Sequence, residues 1–268
     1  MPRLLPLLLI LLLAACAAPP PAAPALQPPL PYPQAARERL LRLALAEWRE
    51  WGCVQSGEPG LPLAGECAGL PARESDPAGF PRVLAYWRAV PDAEGAIPRN
   101  RALYLRALAG EPAPLWAEPF WSAAFISWLM AAAGVDAPEW APSAAHSRYL
   151  DHQDALAAAF PATAPFLPRH PASYAPEPGD LVCRDRSRRP LADWSQRAAE
   201  RGQFRPMHCD LVVAAGPGVV EAVGGNVSDA VALARFPADA AGRILSPTLV
   251  ILQNRLGRLP PWSQENRS

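Results

Sequence analysis

The spacing of apolar positions changes character once along the chain. From about residue 36 to residue 160, apolar side chains recur every three or four residues, the period of a helix with one buried face. Leu41, Leu45 and Trp48 mark the first such stripe, and Gly52 supplies its stop. Gly79 to Val90 and Arg99 to Ala109 predict two short helices, split by Pro91 and Pro98. A stronger helix is predicted from Phe120 to Ala133, ending at Gly134, and another from Ser143, a good N-cap, to about Phe160. Beyond that, the apolar residues come in short, largely β-branched runs bounded by Gly and Pro. These are Leu181 to Cys183, Leu211 to Val213, Val219 to Val223, Ala230 to Phe236 and Leu249 to Leu252. They predict strands of an antiparallel sheet, and helices followed by a sheet define an α+β fold.

The N-terminus has a different pattern. Met1-Pro2-Arg3 and the apolar run Leu4 to Leu13 form a positive segment and an apolar stretch too short to span ~30 Å of hydrocarbon at ~1.5 Å per residue. This is the layout of a signal peptide, residues 1–15. Leu13-Ala14-Ala15-Cys16 resembles the lipobox of bacterial lipoproteins, which implies lipidation at Cys16 and a membrane partner held through acyl chains. Ala17 resembles the residue found there in lipoproteins sent to the outer membrane, so the expected location is the periplasmic face of that membrane. Residues 16–35 then carry a proline density that excludes helix and favours a semi-rigid polyproline tether. The expected organisation continues with a helical extension over 36–115, a second region over 116–256 and a tail over 257–268.

Composition narrows the function. The chain has 268 residues, half of them apolar, and 25 basic residues, all Arg, balance 25 acidic ones. With no broad positive field, nucleic acid is not an expected partner. Export makes the four remaining cysteines candidates for disulfides. Cys53 and Cys67 flank a Gly/Pro-rich loop, and Cys183 and Cys209 lie in two strands that can be neighbours. Four cysteines admit three pairings, of which 53 with 67 and 183 with 209 are expected. Cys209 as a nucleophile beside His208 is disfavoured, because successive strand side chains point to opposite faces. His146 and His152 are six apart on one helix and so on different faces, and there is no H-E-x-x-H or C-x-x-C; neither a metal nor another cofactor is expected.

Three segments carry candidate chemistry. Phe120-Trp121-Ser122-Ala123-Ala124-Phe125-Ile126-Ser127-Trp128 resembles the opening of the central helix in papain-like cell-wall amidases of the NlpC and CHAP type, with Ser122 at the nucleophile position. Pro178-Gly179-Asp180-Leu181-Val182 and His208-Cys209-Asp210-Leu211-Val212-Val213 resemble two strands of those domains, and Gly224-Gly225-Asn226 resembles a third. Their order, with the lipobox, is most similar to the bacterial domain-of-unknown-function family numbered 2272, over about Trp116 to Gln253. The resemblance implies a papain-like fold with helices packed on a small sheet. It also implies His208 as general base, Asn226 as its orienting partner, and peptidoglycan as substrate.

The residues support this chemistry on their own terms. A nucleophile at a helix N-terminus faces unpaired N–H groups and the positive end of the dipole, which favour a developing anion. Ser122 departs from the Cys of those amidases, so turnover requires general-base transfer as in Ser-His hydrolases. Asp210 shares a strand face with His208, and Glu221 is an alternative to Asn226. His146, Tyr149 and Trp121 are candidate substrate-binding residues beside the cleft. Arg184 to Met207 holds seven Arg against three acidic residues, suited either to carboxylates or anionic head groups or to a solvated loop. Three functions are therefore in play: a Ser-His amide hydrolase of the wall, a catalytically inactive wall-binding or scaffold lipoprotein, and an esterase or acyltransferase on a lipid or secreted compound.

Overall fold

The computed structural model describes residues 25–56, 67 and 72–258. The signal peptide, Cys16 and the start of the proline-rich tether lie outside the described residues, as does most of the tail. Among the described residues five α-helices, α1 Gln34–Glu50, α2 Phe80–Trp87, α3 Ala96–Leu108, α4 Ser122–Ala133 and α5 His146–Ala159, pack with seven strands. The strands are β1 Val54–Ser56, β2 Phe166–Arg169, β3 Leu181–Asp185, β4 Met207–Gly216, β5 Val219–Val227, β6 Ala230–Pro237 and β7 Val250–Asn254. They form one sheet in the order β1-β6-β5-β4-β3-β7-β2. The fold is α+β, but the sheet is mixed rather than antiparallel, because β1 runs parallel to β6.

Local chemistry accounts for most boundaries. Along α1 the buried residues are Ala36, Leu40, Ala44 and Trp48, a strict four-residue row, so the buried stripe runs one residue ahead of Leu41 and Leu45, which are half-buried. The start of α3 moves back to Ala96 because the Asp92 carboxylate accepts the N–H groups of Ala96 and Ile97 at 2.7 and 3.0 Å. Pro98 then falls in the first turn, where a missing N–H costs nothing. Helix α5 begins at His146 rather than beside Ser143, because Ser143 is bound to the preceding helix: the Ser127 hydroxyl donates to its carbonyl and accepts its N–H, both at 3.1 Å. The two strands missing from the sequence pattern are a three-residue piece, β1, and β2, which contains Pro168. Proline is tolerated in β2 because that strand lies at the sheet edge.

Helix α4 is apolar on nearly all sides and is buried for most of its length. It ends at Gly134, whose φ of 87° is the left-handed conformation of a helix stop. Above it an aromatic cluster ties the N-terminal helices to the rest: Trp121 stacks on Trp51 at 5.5 Å and on Tyr86 at 5.4 Å, and Phe80 stacks on Trp116 at 5.0 Å. Packing is thus continuous across residue 115. A smaller core of Val182, Val212, Val220, Ala222, Ala234 and Phe236 with neighbours lies apart from the main one.

Both expected disulfides are present, Cys53–Cys67 and Cys183–Cys209. Cys183 and Cys209 face each other directly in the β3–β4 register, with Cα atoms 4.1 Å apart. Replacing both by Ala frees the 26-residue separation between them and is expected to lower stability by about 3 kcal/mol through unfolded-state entropy. Urea denaturation of the oxidised protein and the double variant checks this; equal midpoints would refute it.

Candidate active site

Two helix N-termini converge at the sheet. Ser122 is the first residue of α4 and His146 the first of α5, and Ser122 Oγ lies 2.7 Å from His146 Nε2. The other ring nitrogen, Nδ1, is hydrogen-bonded to the Tyr149 hydroxyl one turn on. When Nδ1–H donates to the Tyr149 oxygen, Nε2 carries the lone pair that accepts the Ser122 proton. Burial, then the neighbouring His208, hold His146 well below the ordinary imidazole value, while Asp210 pulls it partway back. The imidazole is therefore neutral at pH 7, with Nε2 beside the Ser122 hydroxyl. Burial and the charge of Asp210 raise Tyr149 far above the usual phenol value, so its hydroxyl stays protonated.

A second chain of groups lies alongside. His208 Nε2 is 2.8 Å from Asp210 Oδ1, and Arg184 donates to Asp210 Oδ2 at 2.9 Å. Burial alone would raise Asp210, but the charges and hydrogen bonds of His208 and Arg184 outweigh it and hold the carboxyl below its ordinary value. The His146 and His208 rings lie 5.4 Å apart, so the ionised Asp210 sits within the field of an imidazolium formed at either. Alternation along β4 sends Cys209 to the disulfide in the main core and leaves His208 and Asp210 on the other side of the strand.

The glycine pair of β5 has steric reasons. A Cβ on Gly224 would overlap Asp210 Oδ1 and stand 3.0 Å from His208 Nε2, and one on Gly225 would stand 2.6 Å from Phe125 Cβ in α4. The first absent side chain makes room for the carboxylate, the second for the helix.

The structure brings Ser122, His146, Tyr149, His208 and Asp210 together and places the other expected residues elsewhere. Asn226 does not reach His208: its Oδ1 accepts the Trp121 backbone N–H at 3.2 Å and its amide donates to Glu74 Oε2 at 2.7 Å. Glu221 pairs with Arg235 at 2.8 Å, and alternation puts it on the opposite side of β5 from Gly224. Trp121 has no exposed surface; it stacks in the core and donates from Nε1 to Glu74 Oε2 at 2.6 Å, so it packs rather than lining a cleft. From the sequence alone His146 is a binding candidate, and Glu74 carries no mark. The signal for His146 was its i, i+3 spacing to Tyr149; Glu74 sits in a polar stretch that nothing distinguishes. Among the described residues no group of three His, Cys, Asp or Glu is arranged to hold a metal ion.

Fold and site together define an α+β domain with a serine–histidine pair at a buried helix start and a histidine–carboxylate pair beside it. Residues 74–262 match the DUF2272 family, described as uncharacterized protein conserved in bacteria, and the chain belongs to that family. No curated protein and no solved structure shows significant similarity.

Two outcomes follow from this geometry. Gly224→Ala is expected to cost about 1–3 kcal/mol by overpacking against Asp210, whereas Gly216→Ala, whose Cβ would meet nothing within 4 Å, should leave the urea midpoint in place; equal effects would refute the steric role. Glu74 provides the second. Burial pushes its carboxyl from 4.5 to about 7, against the Trp121 hydrogen bond and with help from Asp229. The folded value exceeds the unfolded one, so this group's stabilisation is complete below about pH 4.5 and is lost as pH rises through about 7. Gln at this position keeps an acceptor for both donors but cannot ionise. Between pH 5 and pH 8, the wild type should lose stability relative to Glu74→Gln; parallel denaturation curves would exclude this.

Proposed function

We propose that this protein is a lipid-anchored envelope hydrolase of the NlpC/CHAP type that cleaves an amide bond of peptidoglycan, with Ser122 as nucleophile. The observation that carries the reading is the 2.7 Å contact between Ser122 Oγ and His146 Nε2 at the start of α4. The order of the motifs, with a Ser-led central helix followed by the His208 strand and the Gly224-Gly225 strand, supports the papain-like assignment. The lipobox and proline-rich tether support an anchor at Cys16 with reach into the wall.

In this mechanism the Ser122 hydroxyl transfers its proton to His146 Nε2 as Oγ bonds to the carbonyl carbon. The resulting oxyanion is held by N–H groups of the first turn of α4, which have no intrahelical acceptors. Asp210, kept ionised by Arg184, stabilises the imidazolium through space, and His208 fixes the carboxylate. His146 then returns the proton to the leaving amine, the C–N bond breaks, and water attacks the acyl-serine by the same route in reverse. The base is thus His146, with His208 beside it, in place of His208 alone.

A second reading is a wall-binding lipoprotein without turnover. It is favoured by the closure of the site: Ser122 is 8 % exposed and His146 4 %. Incubation of the protein with purified sacculi separates the two. The hydrolase releases soluble fragments whose masses name the bond, and Ser122→Ala and His146→Ala each reduce release by ~10²-fold or more. Co-sedimentation of all three proteins with no fragments would overturn the hydrolase and leave the binding protein.

A further inference from the structure

Seven arginines lie from Arg184 in β3 to the start of β4, and the structure divides them into two groups. Four are neutralised within the molecule. Arg184 bonds Asp210, Arg197 bonds Asp151 and Glu200, Arg201 bonds Asp154, and Arg205 bonds Asp185 and Glu200. The side chains of the other three, Arg186, Arg188 and Arg189, are exposed and have no partner among the described residues. In a chain of zero formal charge, three unpaired guanidinium groups within four residues make a local excess of positive charge.

The loop that carries them is held in shape. The Asp185 carboxylate accepts the N–H groups of Ser187 and Leu191 at 2.8 and 2.9 Å, and Arg205 clamps Asp185 and the Ser187 hydroxyl from the other side, both at 2.7 Å. Such prior ordering lowers the entropic cost of binding. Arg188 and Arg189 line a surface depression of 300 Å³ whose apolar wall is Phe204 and Pro206. Phe204 is 67 % exposed and offers its ring face to the depression's occupant. The one carboxylate of the depression, Glu200, is already engaged by Arg205 and then Arg197, whose hydrogen bonds hold it down to about 2.

The β3–β4 register ties this depression to the active site. Arg184 is directly opposite His208, and the N–H of Arg186 extends the ladder to the Pro206 carbonyl at 2.9 Å. At ~3.3 Å per residue, the arginine loop begins on the order of 7 Å beyond His208, a span that two or three extended peptide residues cover.

We infer that Arg186, Arg188 and Arg189 form a subsite for a peptide bearing free carboxylates, with Phe204 and Pro206 packing against its aliphatic parts. The guanidinium fork matches a carboxylate bidentately. A peptide is the occupant that also connects to an amide carbonyl at Ser122, and in this respect the inference rests on the proposed hydrolase reading and specifies its substrate class.

The test uses the full-length chain in detergent and fluorescence anisotropy with two labelled tetrapeptides: one with two glutamates and a free C-terminus, the other with glutamines and a C-terminal amide. The acidic peptide is expected to bind ~10-fold or more tightly than its neutral twin, with the preference shrinking at ~500 mM salt. Arg186→Gln/Arg188→Gln/Arg189→Gln should abolish the preference without shifting the thermal melt, since these side chains have no internal partners; each single substitution should lower it in part. Ser122→Ala should keep it. Equal binding of the two peptides, or a preference that survives the triple variant, would overturn the subsite. So would a triple variant that loses only its binding to phosphatidylglycerol-containing vesicles. A preference that persists where sacculi yield no fragments would sink the hydrolase and leave the subsite standing.

Discussion

One carboxylate oxygen, Glu74 Oε2, joins three parts of the molecule that are far apart in sequence. It accepts the Trp121 indole N–H and the Asn226 amide, while Asn226 returns its own carbonyl oxygen to the Trp121 backbone N–H. The start of α4 is thereby fixed relative to the β5–β6 hairpin and to the segment preceding α2. Together with the Ser122–His146 contact and the two Ser127–Ser143 bonds, this junction sets the height of Ser122 along the sheet, while the rest of α4 is held by the shape of its apolar packing. A buried carboxyl is costly when ionised, and the two donors account for its retention.

The electrostatics around Ser122 follow from what the helices bring. Two helix N-termini disfavour a cation between them and favour an anion, in keeping with a neutral imidazole at His146. The compensating negative charge, Asp210, comes from the sheet and is itself secured by Arg184 and His208. The His146 imidazole and the Asp210 carboxylate thus reside on different elements, and the close approach of those elements depends on two glycines. The same two strands are cross-linked by Cys183–Cys209 one residue from His208, so the disulfide holds the ladder that carries the site.

Much of the site could be anticipated, and its omissions have physical causes. Ser122, His208 and Asp210 stand in motifs whose local periodicity predicts helix start and strand face. The assignment of Asn226 to His208 failed because Asn226 has a φ of 56°, in the left-handed region, at a register shift in β5, so strand alternation does not describe where its side chain goes. His146 could be placed on a helix with Tyr149, but its reach to Ser122 depends on how two helices pack, which no spacing along either one encodes.

The sequence by itself determined the order of helices then strands, the helix stop at Gly134, the two cystine pairs as the expected pairing and the segments that bear chemistry. These are local quantities: period, turn residues and charge. The tertiary structure alone decided that β1 joins the sheet in parallel, that Pro168 lies in an edge strand, that His146 meets Ser122, that Arg184 secures Asp210 and that Glu74 anchors α4. Each of these joins residues tens to more than a hundred positions apart, and such pairings are set by packing and by the satisfaction of buried polar groups, quantities defined only once the chain has closed on itself.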